Sequence, residues 1–85
     1  MNKNEQKLKE IKERLELSSP GPWTGERRAY GSMVIFDGNE EPVYFIDAEG
    51  ALEMGENDFN FIAQSKTDIS YLLERIAELE KKLDK

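Results

Sequence analysis

Apolar residues near the N-terminus recur at spacings of three and four between Leu8 and Leu15, with charged residues between them. This spacing places them in one narrow stripe and predicts an amphipathic helix over residues 1–17. The Pro-Gly-Pro sequence at residues 20–22 then ends the helix, because proline lacks a backbone donor and glycine favours turns. The chain therefore begins with one helix followed by a stiff loop, residues 18–25.

The middle of the chain, residues 26–54, has no helical spacing. Two continuous apolar runs, Met33–Phe36 and Val43–Ile46, contain β-branched and aromatic residues and flank the hairpin signal Asp37-Gly38. They predict an antiparallel β-meander of three to four strands, with residues 47–52 forming either a turn or the fourth strand. The first three strands are expected at 27–30, 32–37 and 42–47. Continuous apolar runs also predict a sheet covered on both faces, by helices on one and by a second subunit on the other.

Two consecutive helix starts are predicted within residues 56–85. Asn57 is a good N-cap for a short first helix, and Ser65 or Thr67 for a longer second one. The longer helix carries apolar residues in a strict seven-residue repeat, at Ile69, Leu72, Ile76, Leu79 and Leu83. Such a repeat is typical of a coiled-coil seam and requires a helical partner, either the first helix or another subunit.

Together these elements predict a single α+β domain over residues 1–85: an N-terminal helix, a small antiparallel sheet, a short helix and a long C-terminal amphipathic helix. Trp23 follows the Pro-Gly-Pro turn, where an aromatic ring commonly fills one edge of a small core. Stacking on a ligand is the other interpretation of Trp23. Because 85 residues without cysteine form a small core and no disulfide, oligomerisation through the C-terminal helix is predicted to add stability.

The formal net charge of −6 is concentrated in the middle of the chain, where two arginines between Ser18 and Phe61 stand against nine acids. This balance argues against a nucleic-acid polymer as partner, because phosphate binding relies on lysine and arginine. No apolar run reaches the roughly 20 residues that span a bilayer, and the polar N-terminus does not resemble a signal peptide. We therefore expect a cytoplasmic protein without a membrane partner.

Catalytic side chains are scarce. The sequence has no histidine for proton transfer near neutral pH, no cysteine nucleophile and no glycine-rich phosphate loop. The acids at residues 37–41 lack the alternating ligands and bidentate glutamate of a calcium loop, so we interpret them as a solvated turn. The sequence predicts a protein that is not an enzyme and that uses neither a metal nor a cofactor.

Binding side chains are better represented. Arg27 and Arg28 offer planar, bidentate donors that suit phosphate, and strand alternation allows only one of them to face a given pocket. Ion pairs with surrounding acids are the other interpretation of this arginine pair. Side chains that would stack on a base or hydrogen-bond to a nucleotide are Trp23, Tyr30, Phe45, Phe61, Asn57 and Asn60.

Two sequence motifs resemble a known lineage. The Pro-Gly-Pro-Trp sequence at residues 20–23, after a short helix, resembles the entry of small phage and prophage proteins grouped as Ea22-like. The segment 57–63, followed by residues 66–69 and by Leu72-Leu73, resembles the recurrent C-terminal segment of that group. The resemblance implies a phage or prophage origin.

The layout of a small antiparallel sheet followed by two C-terminal helices is similar to that of the Thoeris anti-defense sponge proteins of phages. That resemblance implies an oligomer that sequesters a cyclic ADP-ribose-type or cyclic oligonucleotide immune signal, without cleaving it, in pockets between subunits. It also implies that arginines, an aromatic residue and an asparagine hold the ligand: Arg27 or Arg28, Phe45 and Asn57, with Arg75 from the long helix.

Two functional hypotheses follow. The first is a phage-encoded anti-defense protein that binds and sequesters a nucleotide-derived immune signal in the cytoplasm of an infected or lysogenic bacterial host. The alternative is an acidic inhibitor that binds a host nuclease or CRISPR effector, because acids that imitate nucleic-acid charge occupy basic grooves. A structural phage accessory protein is the third possibility that the sequence leaves open.

Overall fold

A computed structural model describes residues 2–84, which form three α-helices and one three-stranded sheet. The elements in chain order are α1 (Lys3–Leu17), β1 (Thr24–Arg27), a 3-10 turn (Ala29–Gly31), β2 (Met33–Phe36), β3 (Pro42–Ile46), α2 (Ala48–Met54) and α3 (Glu56–Leu83). The predicted α+β class is confirmed, with an N-terminal helix, an antiparallel sheet, a short helix and a long C-terminal helix. Met1 and Lys85, which belong to the predicted ranges 1–17 and 56–85, lie outside the described residues.

The sheet is an antiparallel meander in the order β1-β2-β3. In the central strand, Ile35 is paired with Gly25 of β1 on one side and with Tyr44 of β3 on the other. Because side chains alternate between the two faces of a strand, Ile35 points to the opposite face from its neighbours Val34 and Phe36. Ile35 therefore belongs to one face of the sheet, and Val34 and Phe36 belong to the other.

The hydrophobic core lies between one face of the sheet and the first turns of α3. Ile35 is fully buried there with Phe59 and Ala63 of α3, and Trp23 packs against this cluster from the loop after α1. Gly25 makes the close approach possible, because a Cβ at this position would lie 2.6 Å from Cε1 of Phe59. The Trp23 indole N–H donates to the Ser19 carbonyl at 3.0 Å, so this side chain closes one edge of the core.

The predicted hairpin at Asp37-Gly38 joins β2 to β3. The Asp37 carboxylate accepts from the backbone N–H groups of Asn39 at 2.8 Å and Glu41 at 2.9 Å. Gly38 donates its backbone N–H to the Pro20 carbonyl at 2.7 Å. The turn is thereby docked on the Pro-Gly-Pro loop, and the Asp37 carboxylate is occupied in stabilising it.

The predicted boundaries of the sheet are wrong at both ends. The segment 47–52 is neither a turn nor a fourth strand: residues 48–52 belong to α2, which Asp47 caps by accepting from the Gly50 N–H at 2.9 Å. β1 covers residues 24–27 rather than 27–30, so it begins inside the predicted loop 18–25. The strand starts early because Gly25 lies under Phe59, and it stops because Tyr30 adopts a left-handed conformation with φ 60° and ψ 26°.

The predicted break between two C-terminal helices is also wrong. α3 runs without interruption for 28 residues, and its N-cap position is Gly55 rather than Asn57. The hydroxyl of Ser65 donates back to the Ile62 carbonyl at 2.7 Å instead of capping a new helix. The segment contains no glycine or proline, so nothing in its backbone stops the helix. The short helix of the predicted layout is α2, on the N-terminal side of Gly55.

α1 and the distal part of α3 form a two-helix projection, which we call the helical arm (residues 3–17 and 66–84). The two helices run antiparallel, because Lys66 donates to the Leu15 carbonyl at 2.8 Å while Glu5 lies beside Glu80 further along. The Lys66 ammonium also donates to the Ser18 hydroxyl at 2.6 Å and so ties the end of α1 to α3. No described residue of the arm is buried.

Within the single chain, β2 is buried on both faces whereas β3 is not, and covering of the second face by another subunit stays a prediction. Met33, Val34 and Ile35 are all buried, whereas Phe45 of β3 is 62% exposed. The helices cover only one face of the sheet, and the other face is open at Phe45. We call this second surface the open sheet face; its side chains are Glu26, Arg28, Val34, Phe36 and Phe45.

Candidate functional site

Arg27 lies at one end of β1, over a cleft between the sheet and α2. Its guanidinium Nη2 is 2.6 Å from Oε1 of Glu56, the first residue of α3, and both side chains are largely exposed. The cleft has a volume of about 310 Å³. It is lined, besides this ion pair, by Tyr30, Gly31, Met33, Ala48, Ala51 and Leu52. Arg27 is therefore paired, as the second interpretation of the arginine pair expected.

Two apolar side chains stand out from the rim of this cleft. Tyr30 is 97% exposed and Leu52 is 87% exposed. Tyr30 is held in the left-handed region by the hairpin that Arg28 N–H closes on the Ser32 carbonyl at 2.8 Å. A residue with a Cβ adopts this conformation at a cost of about 1 kcal/mol, and strained residues concentrate at functional sites. Because tyrosine is enriched among the residues that dominate protein interfaces, the highly exposed Tyr30, with Leu52 exposed beside the same cleft, marks a candidate contact surface.

The electrostatic surroundings of the cleft are negative. Five acids that lie on or beside α2 and in the first turn of α3 are exposed: Asp47, Glu49, Glu53, Glu56 and Asp58. Arg27 is the basic residue nearest to them, and its charge is matched by Glu56. We call these five acids, with Tyr30 and Leu52, the acidic surface. An anionic ligand that approached Arg27 would meet an excess of carboxylates, whereas a cationic surface would be attracted.

Arg28 points to the opposite face of the sheet from Arg27. Its Nη2 lies 2.8 Å from Oε2 of Glu26, and its guanidinium carbon lies 5.0 Å from the centre of the Phe36 ring. Val34 is paired with Glu26 and is buried, and it lies along β2 between Ser32, which Arg28 faces, and Phe36, so the arginine side chain passes over Val34. Stacking on Phe36 adds cation–π stabilisation of roughly 0.5–1 kcal/mol at an exposed site. Phe45 shares this face.

The remaining predicted site residues lie apart from one another. Asn57 is exposed next to Glu56, and Phe61 is 74% exposed one turn further along α3. Arg75 is in the helical arm, where it donates to Glu78 at 3.0 Å, some 27 Å of helix from Asn57. Trp23 is packed against the core. Within one chain, the structure brings Arg28 and Phe45 to one face and Arg27 close to Asn57, but it does not join the seven residues into one pocket.

Two residues of the acidic surface, Leu52 and Glu56, were not predicted as site residues from the sequence. Leu52 was assigned to a turn or strand, although Ala48, Ala51 and Leu52 follow a helical spacing of three and four that would have marked it. Glu56 was counted only as one of nine acids. Its role depends on the contact with Arg27, which lies 29 positions earlier in the chain, and no local signal reveals that contact.

Neither a cluster of metal-ligating side chains nor a membrane-spanning helix occurs in the part of the chain that the structure describes. Among residues 2–84, no three acidic side chains lie close enough to hold a metal ion, and no helix is both long and apolar enough to cross a bilayer. Comparisons with protein-family models, with curated proteins and with solved structures find no match to this chain.

Proposed function

We propose that this protein is a non-enzymatic binding module whose acidic surface docks on a basic surface of another protein. One observation carries the proposal: Tyr30 and Leu52 are highly exposed at a cleft that Glu56 also lines, and four further exposed acids lie on or beside α2 and in the first turn of α3. The carboxylates steer a basic partner towards the site, and the anchors supply the desolvated contacts that hold it. The acids of this surface would take the place of phosphates in the partner's groove.

The class of partner follows from this charge. A protein that binds nucleic acid presents a basic groove for phosphates, and a row of carboxylates imitates those phosphates. We therefore propose that the partner is a host nuclease or CRISPR effector in the bacterial cytoplasm. The expected effect on such an enzyme is competitive inhibition of its nucleic-acid binding. Because exposed charges are screened over about 8–10 Å at ordinary salt, the inhibition should weaken as salt rises.

The test is competition in a fluorescence anisotropy assay, with labelled DNA bound to each member of a panel of purified nucleases and RNA-guided effectors. The variant Glu49→Gln/Glu53→Gln/Glu56→Gln should lose competition, and Tyr30→Ala/Leu52→Ala should weaken it at least tenfold. The matched control Glu10→Gln/Glu13→Gln/Glu16→Gln neutralises three exposed acids of α1 and should compete like the unmodified protein. Equal loss in both triple variants would reduce the effect to net charge and contradict a defined docking surface.

A second function is favoured by the open sheet face. There Arg28 presents a planar cation, and Phe45 presents an exposed ring on the same face. A nucleotide could use both side chains, because the guanidinium can bind its phosphate and the aromatic ring can stack on its base. This arrangement supports sequestration of a nucleotide-derived immune signal without cleavage, in which Arg28 rather than Arg27 would bind the anion.

Isothermal titration with cyclic ADP-ribose isomers and with cyclic di- and trinucleotides tests this second function. Heat of binding that disappears in Arg28→Ala and in Phe45→Ala, and that persists in Arg27→Ala, is the expected result. The three variants are matched, because all three remove exposed side chains of the same small sheet. Absence of heat with every one of these ligands would exclude the sponge function and leave the protein-binding function standing.

A further inference from the structure

The helical arm carries a long apolar surface that its own two helices do not cover. Leu72, Leu79 and Leu83 of the seven-residue repeat are exposed, and Ile69 is at the border of exposure. Leu8 and Leu15 of α1 line the same two grooves as Leu73 and Ile76 of α3. α1 therefore covers the repeat only in part, at Ile76, and leaves its leucines exposed.

A groove runs along this open side between the two helices. It has a volume of about 510 Å³ and is predominantly apolar. The residues that form it on the seam side include Ile11, Leu15, Ile69, Leu72 and Ile76, with Trp23 at its end. An apolar repeat with a period of seven residues is the pattern that a second α-helix matches, since knobs from one helix enter holes of the other.

We propose that a second copy of this chain occupies the groove, with its α3 running antiparallel to the first, so that the arms form a four-helix dimer. In such a two-fold arrangement each α3 fills the groove of the other chain, which makes the contact self-complementary and closed. The proposal concerns the arm alone and does not depend on the proposed function of the acidic surface.

The available area suits a stable dimer. From Lys66 to Leu83 the arm spans about 26 Å at 1.5 Å per residue. Two helices side by side are roughly 20 Å wide, because packed helices lie 8–10 Å apart. The flat projection is then on the order of 500 Å² per chain, and the accessible area is larger because side chains project. A standard interface buries about 800 Å² per partner.

Charge explains why the partner is a second copy and why it runs antiparallel. Residues 66–85 contain five basic and five acidic side chains, and α1 contains five and four, so two arms meet without net repulsion. The remainder of the chain has two arginines against nine acids. An antiparallel arrangement keeps these two acidic ends at opposite ends of the dimer, whereas a parallel one would bring them together.

The flanks of the seam agree with this orientation. Asp68 and Lys82 occupy equivalent positions of the seven-residue repeat, two heptads apart, each directly before a seam residue. An antiparallel pairing centred near Arg75 places Asp68 of each chain opposite Lys82 of the other. Arg75, close to the axis, already has a partner in its own chain, Glu78 at 3.0 Å.

Light scattering after size-exclusion chromatography tests the interface across micromolar to submillimolar protein concentrations. The unmodified chain should be a dimer, and Leu72→Glu/Leu79→Glu should weaken dimerisation at least a hundredfold. Both leucines are exposed in the single chain, so circular dichroism should show the helices retained. Leu52→Glu, a matched change at an exposed leucine of the acidic surface, should leave the dimer intact. A monomer at every concentration, or a dimer that the double variant does not affect, would overturn the proposal.

Cysteine cross-linking tests the orientation, because the chain has no cysteine of its own. Mixed Asp68→Cys and Lys82→Cys chains should form the heterodisulfide under mild oxidation in preference to either homodisulfide. Homodisulfides at position 68 as the main product would show a parallel pairing and overturn the antiparallel arrangement. If a helix of another protein is the true occupant, neither variant will cross-link, and this result too would overturn the proposal.

Discussion

The two ends of this molecule differ in where they bury apolar surface and where they carry charge. Every described residue that is buried lies between Met33 and Ala63, in the sheet, its β2–β3 turn and the first turns of α3. The helical arm has no buried residue and an even balance of charges, whereas residues 18–65 have nine acids against two arginines. One end is thus a small domain with a closed hydrophobic core and an acidic exterior. The other end is a pair of helices whose apolar side chains remain partly exposed.

This difference has a physical cause. A sheet of 13 residues and the helix over it enclose a core because strands and helix lie in two layers. Two helices side by side touch along one line only, and each keeps much of its apolar stripe in water. We therefore expect the first end to set the stability of the chain and the second end to respond to association.

The largest difference between the sheet end and the helical arm is expected when a core residue of the sheet is truncated. Ile35→Ala should lower the free energy of unfolding by about 2–5 kcal/mol, because Ile35 is 0% exposed and the cavity left behind relaxes only in part. Urea denaturation followed by circular dichroism measures this loss. The control Leu17→Ala removes an exposed side chain of the arm and should change stability by less than about 0.5 kcal/mol. Similar losses in both variants would contradict a core confined to one end.

A smaller effect is expected from filling the space that Gly25 leaves for α3. Gly25→Ala places a Cβ 2.6 Å from the Phe59 ring and should cost about 1–3 kcal/mol in overpacking. Gly21→Ala is the matched control, since its Cβ would make an ordinary 3.4 Å contact with the flexible Lys66 side chain. Thermal melts of the two variants decide the question. Recovery of Gly25→Ala by Phe59→Leu would assign the loss to this contact.

Next in size is the bond that joins the arm to the rest of the molecule. Lys66→Met should cost about 1 kcal/mol, because it removes the part-buried donations to the Leu15 carbonyl and the Ser18 hydroxyl. Hydrogen exchange should speed up in the last turn of α1 more than in β2. Lys82→Met, on an exposed part of the arm, is the control for the loss of a charge. Uniform acceleration through the sheet would show that Lys66 supports the whole domain instead.

The smallest effect belongs to the ion pair at the acidic surface. Arg27→Ala should change the free energy of unfolding by less than about 1 kcal/mol, since both members of the pair with Glu56 are largely exposed. Arg75→Ala removes a comparable exposed pair in the arm and should have an effect of the same size. Chemical denaturation at low and high salt compares them. A loss above 2 kcal/mol in Arg27→Ala would make this pair a structural element rather than part of a binding surface.

The first helix and the hairpin were predictable from local sequence, whereas α2, the continuity of α3 and the details of the sheet were not. The stripe in α1 and the turn at Asp37-Gly38 depend on neighbouring residues, and both lie where expected. The conversion of residues 48–54 to helix depends on the Asp47 cap and on packing against α3. Ser65 and Thr67 suggested a helix start, but hydroxyls are equally satisfied by bonding back to the preceding turn, as Ser65 does.

The candidate surfaces were predictable only in composition. Alternation along a strand correctly separated Arg27 from Arg28, but it did not say which would face the cleft. That outcome follows from the register of β1 on β2, where Arg27 is paired with Met33 of the core. Tyr30 was considered as a stacking residue, yet its exposure follows from the left-handed turn that ends β1.

By itself, the sequence determined the α+β class, the N-terminal helix, the hairpin between the two apolar strands, the heptad seam and the separation of acidic and balanced charge, because periodicity, turn chemistry and charge are local properties. Only the tertiary structure decided the strand register, the single continuous α3 and the partner of each arginine. Those features depend on contacts between distant residues, such as Gly25 with Phe59 and Leu15 with Lys66. The residues adjacent in sequence do not indicate such contacts, because the contacts form only when the whole domain folds and packs.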